Sequence, residues 1–289
     1  MKALIISDGK KGHENQSVAY CELLGVPYEI IKVQFRSKFH KALSYFFDWM
    51  GLYTKKLFLP FEEKKADIVV SAGSSTYYAN KWIAKQNRAQ SIALMYPKGY
   101  RKNFSKIYAQ MHDEVKDPNA KQIPINFSIS TRANIAPCQN GSVALIVGGS
   151  NSVYTMDVES IKPVVEYIFK HFKDRPIFLT TSPRTPKEIE KYLEEFAFTY
   201  KVIYSKNPIN PIGDFLHCCE RVFITIDSTS MISEAVSSGK AAIEVISLPS
   251  KKANKYEKMV QYLEKEGCLH IFDGKLGSAR KKIDLRKYL

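Results

Sequence analysis

No stretch of this 289-residue chain approaches about eighteen uninterrupted apolar residues, which argues against a membrane-spanning helix. Cysteine is sparse and unpatterned. Cys21, Cys138, Cys218, Cys219 and Cys268 form no CxxC pair and no metal-ligand spacing, so small buried thiols are expected and no metal site is. The dinucleotide GxGxxG spacing and the Walker lysine motif are both missing, which disfavours a dinucleotide fold signature and ATP hydrolysis. RNP, KH and helix-turn-helix signatures are also missing, and no nucleic-acid partner is expected. The opening MKALIISDGKKGHENQS carries too short an apolar run for a signal peptide, which points to the cytoplasm. Acid is the scarcer charge: 29 Asp and Glu against 43 Lys and Arg leave a net charge of +14.

What is present is an ordinary globular composition, 45% hydrophobic and 25% charged, in a chain long enough for one large domain or two medium ones. The excess of base is uneven. Residues 1–140 hold 21 Lys and Arg against 11 Asp and Glu, a balance of +10, and residues 141–289 hold 22 against 18, a balance of +4. The first half is therefore suited to an anionic partner.

Along the chain, short branched apolar runs alternate with small-residue loops and apolar-periodic helices, the pattern of a parallel α/β sheet with ligand loops at the carboxyl ends of the strands. Ala3 to Ser7 reads as a strand entering the loop Asp8 to Ser17, with a helix from Val18 to Leu24. In that loop only His13 has an ordinary pKa near neutrality, as a general base needs. Phe35 to Phe61 alternates aromatic with basic residues, as an interfacial membrane segment does and as a helix with one buried face also does. Asp67 to Val70 is a strand leading to Ser71-Ala72-Gly73-Ser74-Ser75-Thr76, and Ile107 to Gln110 a strand leading to Met111-His112-Asp113. His13, Gly73 and His112 should share one sheet edge. Ile129 to Asn140 breaks the pattern as a linker, and a second α/β round follows.

In that second round, Val143 to Val147 runs into Gly148-Gly149-Ser150-Asn151-Ser152, whose N–H groups could reach a diphosphate, with Arg184 neutralising charge. Val222 to Lys240, VFITIDSTSMISEAVSSGK, changes period twice. A buried strand gives way at Asp227 to Ser230 to hydroxyls and an acid that cap a helix carrying Met231, Ile232, Ala235 and Val236 on one face. Such a helix N-terminus seats phosphate, and Glu234, one turn further in, can accept hydrogen bonds from sugar hydroxyls. Two open sheets with these loops facing across a linker would form a ligand cleft.

Taken together, SDGKKGHENQS (Ser7 to Ser17), SAGSST (Ser71 to Thr76), VGGSN (Val147 to Asn151), TTSPRTP (Thr180 to Pro186) and IDSTSMISEAVSSGK (Ile226 to Lys240) resemble the bacterial mitochondrial-fission-protein-like glycosyltransferases, over nearly the whole chain and in order. That family is similar to the GT-B glycosyltransferases, especially the enzyme that adds N-acetylglucosamine to lipid I. The resemblance implies a nucleotide-sugar donor in the C-terminal domain and an acceptor, often lipid-linked, in the N-terminal one. It matches Gly12-His13 to a glycine–histidine loop near the acceptor, Gly148-Gly149-Ser150 to the diphosphate loop and Glu234 to a ribose-binding acid. It also implies chemistry that needs no metal or other cofactor. Where SAGRRT and TTSRRTP are expected, this chain has Ser74-Ser75 and Pro183, so only Arg184 is left of the second arginine pair.

The expectation is an α/β protein of GT-B architecture: two Rossmann-like parallel-sheet domains, an acceptor- and membrane-facing one over 1–139 and a nucleotide-sugar-binding one with a basic tail over 140–289. It would move a sugar from a nucleoside diphosphate-sugar to a cell-envelope glycolipid or lipopolysaccharide acceptor, with inversion, at the cytoplasmic face of an anionic inner membrane. His13, or alternatively Asp8, would be the base. Gly148, Gly149, Ser150, Asn151, Ser182, Arg184, Ser228, Thr229, Ser230 and Glu234 would hold the donor, with Gly12, Asn15, Gln16, Gly73, Ser74 and His112 on the acceptor side. The rival expectation is a non-catalytic membrane-associated adaptor that keeps the fold.

Overall fold

Among the described residues, eight of the twelve strands bury at least four consecutive residues, and the four that do not lie at the sheet edges. Ala3–Ser7, Ile68–Ala72, Val143–Val147 and Ile177–Thr181 are buried at every position, as a parallel sheet covered by helices requires. The computed structural model describes residues 1–111, 113–250 and 254–289. Its contacts divide the chain into two units, Met1–Ser128 with Leu285–Leu289, and Ile129–Asp284.

In the first unit the elements are β1 (Ala3–Ser7), α1 (Lys11–Leu24), β2 (Tyr28–Lys32), α2 (Lys38–Met50), β3 (Ile68–Ala72), α3 (Tyr77–Asn87), β4 (Gln90–Leu94), β5 (Lys106–Gln110) and β6 (Ala120–Ile123). The strands pair in parallel in the order β2-β1-β3-β4-β5-β6. The chain leaves β1 for one side and returns through β3 on the other, so the β1/β3 boundary is the topological switch point where such sheets place ligands. Tyr77, Tyr78 and Trp82 of α3 pack with Leu4, Ile6, Val69 and Ile107 into the core on one face of this sheet.

The second unit repeats the plan with β7 (Val143–Val147), α4 (Val158–His171), β8 (Ile177–Thr181), α5 (Lys187–Glu194), β9 (Tyr200–Val202), α6 (Ile212–Cys218), β10 (Arg221–Thr225), α7 (Thr229–Ser237), β11 (Ala242–Ile246), α8 (Lys255–Lys265) and β12 (His270–Ile271). Its order is β12-β11-β10-β7-β8-β9, again all parallel, with the switch point between β7 and β10. No described helix is long and apolar enough to cross a membrane.

Three local readings change. The segment Asp8 to Ser17 is not a loop throughout: α1 begins at Lys11, so Gly12 and His13 lie in its first turn. That polar turn is held by Gln16 Nε2 and Ser17 Oγ, which donate to the carbonyls of Gly12 (3.2 Å) and His13 (3.1 Å). The residues after Ser128 do not hang free. The fully buried carboxylate of Asp214 accepts from the N–H groups of Asn134 (2.9 Å), Ile135 (2.8 Å) and Ala136 (3.1 Å), and so binds this segment to the second unit. The cysteines are not all thiols either, since Cys138 and Cys218 form a disulfide, their Cα atoms 5.1 Å apart across a sequence separation of 80. Cys21, Cys219 and Cys268 are the buried thiols expected.

Candidate functional site

At the first switch point the carbonyl end of β1 delivers Asp8 and the first turn of α1 delivers His13. Both Asp8 carboxylate oxygens lie 3.2 Å from His13 Nδ1, and the Asp8 side chain is 7% exposed against 22% for the ring. A carboxylate can only accept, so it fixes the proton on Nδ1 and leaves Nε2 as the basic nitrogen. β3 closes the pair from the other side. Gly73 sits at φ +88°, and a Cβ there would fall 2.4 Å from His13 Cε1, so the ring occupies the space that a side chain would take. His13 and Gly73 thus share one edge, whereas His112 lies outside the described residues.

Around them, Ser74 Oγ and Ser75 Oγ each accept from Lys41 Nζ at 3.1 Å. A lysine from α2 therefore stands at the turn where the family resemblance led us to expect arginines. Gln16 is buried and gives its amide to the α1 backbone, while Asn15 is exposed. Gly12 supplies the accepting carbonyl.

At the second switch point the centre is Asp227, a residue that the pattern of the sequence marked only as one acid among helix-capping hydroxyls. Its carboxylate accepts from Gly149 N–H (3.0 Å), Thr225 Oγ1 (2.7 Å) and Arg184 Nη2 (2.8 Å). Burial pushes its pKa above the usual carboxylate range, opposed by those three donors. The glycines before it answer to the same crowding. A Cβ on Gly148 would lie 2.1 Å from Asp227 Oδ1, and one on Gly149 2.0 Å from the Arg184 carbonyl oxygen. Gly148 N–H donates to Thr225 Oγ1 at 2.8 Å. Two of the N–H groups expected to face a diphosphate are thus engaged within the protein.

The neighbouring residues complete that frame. Asn151 Nδ2 donates to the Asp227 carbonyl (2.9 Å), and its Oδ1 accepts from Val153 and Tyr154 N–H. Ser150 Oγ accepts from Met156 N–H (3.0 Å), and Ser182 Oγ from Arg184 N–H (3.2 Å). The Arg184 side chain remains 44% exposed beyond its contact with Asp227. A guanidinium has five N–H donors, so one bond to Asp227 leaves others for an anion.

α7 starts against this frame. Ser228 caps it by accepting from Met231 N–H, with Thr229 and Ser230 following in its first turn. One turn on, Glu234 follows Ser230 at i+4 on the same face. Burial alone pushes the Glu234 carboxyl up to about 7, and it has no hydrogen-bond or ionic partner among the described residues. A half-buried carboxylate without a protein partner is equipped to accept hydroxyl donors from a ligand.

The chain belongs to the mitochondrial fission ELM1 family, whose sequence model matches residues 11–287. An uncharacterized protein of Rickettsia prowazekii (strain Madrid E) is 20% identical, over 94% of this chain and 91% of its own length. Among solved structures, the glycosyltransferase SnogD from Streptomyces nogalater superposes with a TM-score of 0.52 at 11% identity, covering 97% of this chain and 89% of that one. The glycotransferase of kitacinnamycin gives 0.56 at 13%, covering 99% and 89%. The S. aureus MnaA–UDP co-structure gives 0.56 at 11%, covering 97% and 84%. At such identities the likeness shows the fold, which is that of the GT-B glycosyltransferases.

Proposed function

We propose that this protein transfers a sugar from a nucleoside diphosphate-sugar, held by the second unit, to a hydroxyl of a cell-envelope glycolipid or lipopolysaccharide acceptor, held by the first at the cytoplasmic surface of an anionic membrane. His13 Nε2 removes the proton of the acceptor hydroxyl as its oxygen attacks the anomeric carbon, with Asp8 steadying the ring and the imidazolium. The bond from the anomeric carbon to the diphosphate oxygen breaks, and that oxygen leaves with the electron pair. Attack opposite the leaving group inverts the anomeric centre. The leaving charge is met by Arg184 and the N-terminus of α7, without a metal.

Glu234 carries the reading. An unpartnered carboxylate one turn inside the helix that begins at the switch point suits the ribose hydroxyls of a nucleotide, and UDP is the ligand named with one of the structures of this fold. The expected outcome of a thermal-shift screen against UDP, GDP, CDP, CMP and ADP without added metal is one selective shift, lost in Glu234→Ala. Ligand at a hundred times its dissociation constant adds about 2.7 kcal/mol, an easily read effect. Silence across the panel with folded protein would favour a non-catalytic membrane adaptor, a reading supported by Phe39, Phe46, Trp49 and Met50, the exposed apolar residues of α2.

A further inference from the structure

α2 packs Leu43, Tyr45 and Phe47 against the core and still shows apolar residues to solvent. Its inward side carries polar groups that are completely buried: Ser44 shares a 2.8 Å hydrogen bond with Tyr100 OH, and Asp48 accepts from Lys81 Nζ and Arg101 N–H, both at 2.7 Å. Its outward side carries Phe39 (70% exposed), Phe46 (52%), Trp49 (72%) and Met50 (51%). These recur at i, i+7, i+10 and i+11, which is one face of a helix. Leu52 and Leu59, beyond the end of α2, are also exposed. A helix that buries its acid and shows Phe39, Phe46 and Trp49 to solvent has a face built for an apolar surrounding.

The first turn of α2 also forms a wall of a pocket of about 790 Å³, lined by Lys10, Lys32, Arg36, Lys38 and Lys41 together with Asp8. Asp8 is already engaged with His13, so the cavity has a strong surplus of positive charge. Lys41 is oriented by Ser74 and Ser75, and Arg36 by its Nε bond to the Lys56 carbonyl (3.0 Å). Lys32 and Lys38 have no carboxylate partner among the described residues.

We infer that this cavity receives the phosphorylated headgroup of a membrane lipid while the Phe39–Phe46–Trp49–Met50 face of α2 lies among the lipid chains. The charge of the cavity suits a phosphate, its volume accommodates a headgroup larger than phosphate alone, and its position on α2 joins it directly to the apolar stripe. The inference rests on the reading of the acceptor as lipid-linked and adds to it the phosphate by which that lipid is held, next to the Asp8–His13 pair. Lysines at such a site act as point charges, and their contribution falls with salt.

The experiment is co-sedimentation of the full chain with vesicles of phosphatidylcholine alone and of phosphatidylcholine with about one-fifth phosphatidic acid. Phosphatidic acid should strengthen binding roughly tenfold or more, and high salt should remove that gain. Lys32→Gln/Lys38→Gln should abolish the preference but keep the weak binding to neutral vesicles, while Phe46→Ser/Trp49→Ser should weaken binding to both. Failure of the wild type to bind either vesicle overturns the inference, as does binding that neither double variant changes. Binding of soluble glycerol 3-phosphate with no recruitment to vesicles would assign the cavity to a free phosphate and overturn the lipid. The nucleotide screen on the same proteins reads the second unit alone, so loss of lipid binding beside an intact nucleotide shift removes this inference and leaves the transferase reading standing.

Discussion

Gly73 separates geometry from chemistry at the candidate base. It contributes no polar atom, yet its missing Cβ is what lets the His13 ring stand against Asp8. Gly73→Ala should displace the imidazole while removing no titratable group. Displacements of about an ångström can cost on the order of a hundredfold in rate, and a loss of that size, measured with an identified donor and acceptor, is expected. Full activity in this variant would mean that the ring position is not what the reaction uses.

Glu234 gives a second residue-scale test through pH. Its folded pKa of about 7 lies above the 4.5 of a free glutamate, so between these values the folded state holds more protons than the unfolded one. Stability contributed by the neutral form is therefore complete below about 4.5 and lost as pH rises through 7, by at most roughly 3 kcal/mol. Glu234→Gln should be more thermostable than wild type at pH 8 and indistinguishable from it near pH 4.5. Nucleotide affinity should move the opposite way. Ribose hydroxyls donate to the ionised carboxylate, so wild-type affinity should rise as pH passes 7 and stay flat in the glutamine variant.

At the scale of elements, Asp214 joins the second unit to the segment that precedes it. Burial alone would raise its pKa, but the N–H groups of Asn134, Ile135, Ala136 and Ala133 outweigh that and hold it below the usual range. Asp214→Ala leaves buried donors unpaired and should cost about 3 kcal/mol, read as a lowered denaturant midpoint, with reducing agent lowering it further by opening Cys138–Cys218. No composition rule foretells this anchoring. Residues 129–140 look like a linker because they are polar and proline-containing, and their partner is a carboxylate some eighty positions away.

The same distinction runs through the other elements. β1, β3, β7 and β10 were legible because each is a run of branched apolar residues, and the switch-point loops because small residues follow those runs. β6 was not, because AKQI at a sheet edge buries only its last residue. The first two turns of α1, KGHENQS, have no apolar repeat and draw their order from side-chain bonds to their own backbone. α2 shows the limit most clearly: periodicity finds an aromatic stripe but cannot say whether it points inward, and here Ser44 and Asp48 are the buried side. Lys41 and Asp227 became site residues only when distant segments met.

For the molecule as a whole, the proposed chemistry is divided between two units that have separate cores and separate switch points. The base belongs to one and the nucleotide's partners to the other, so binding and turnover should be separable by mutation. His13→Ala is expected to lower turnover by about a hundredfold or more. Its nucleotide dissociation constant, measured by calorimetry, should stay within about twofold of wild type, because the two sites share no residue. Ser230→Ala and Glu234→Ala should do the reverse, weakening nucleotide binding before anything else. Arg184→Ala is the poorer probe, since it strips a buried Asp227 of its cation and mixes stability with binding. If His13→Ala instead weakened the nucleotide as much as Glu234→Ala does, the base would have to be sought elsewhere and His13 counted among the donor's own contacts.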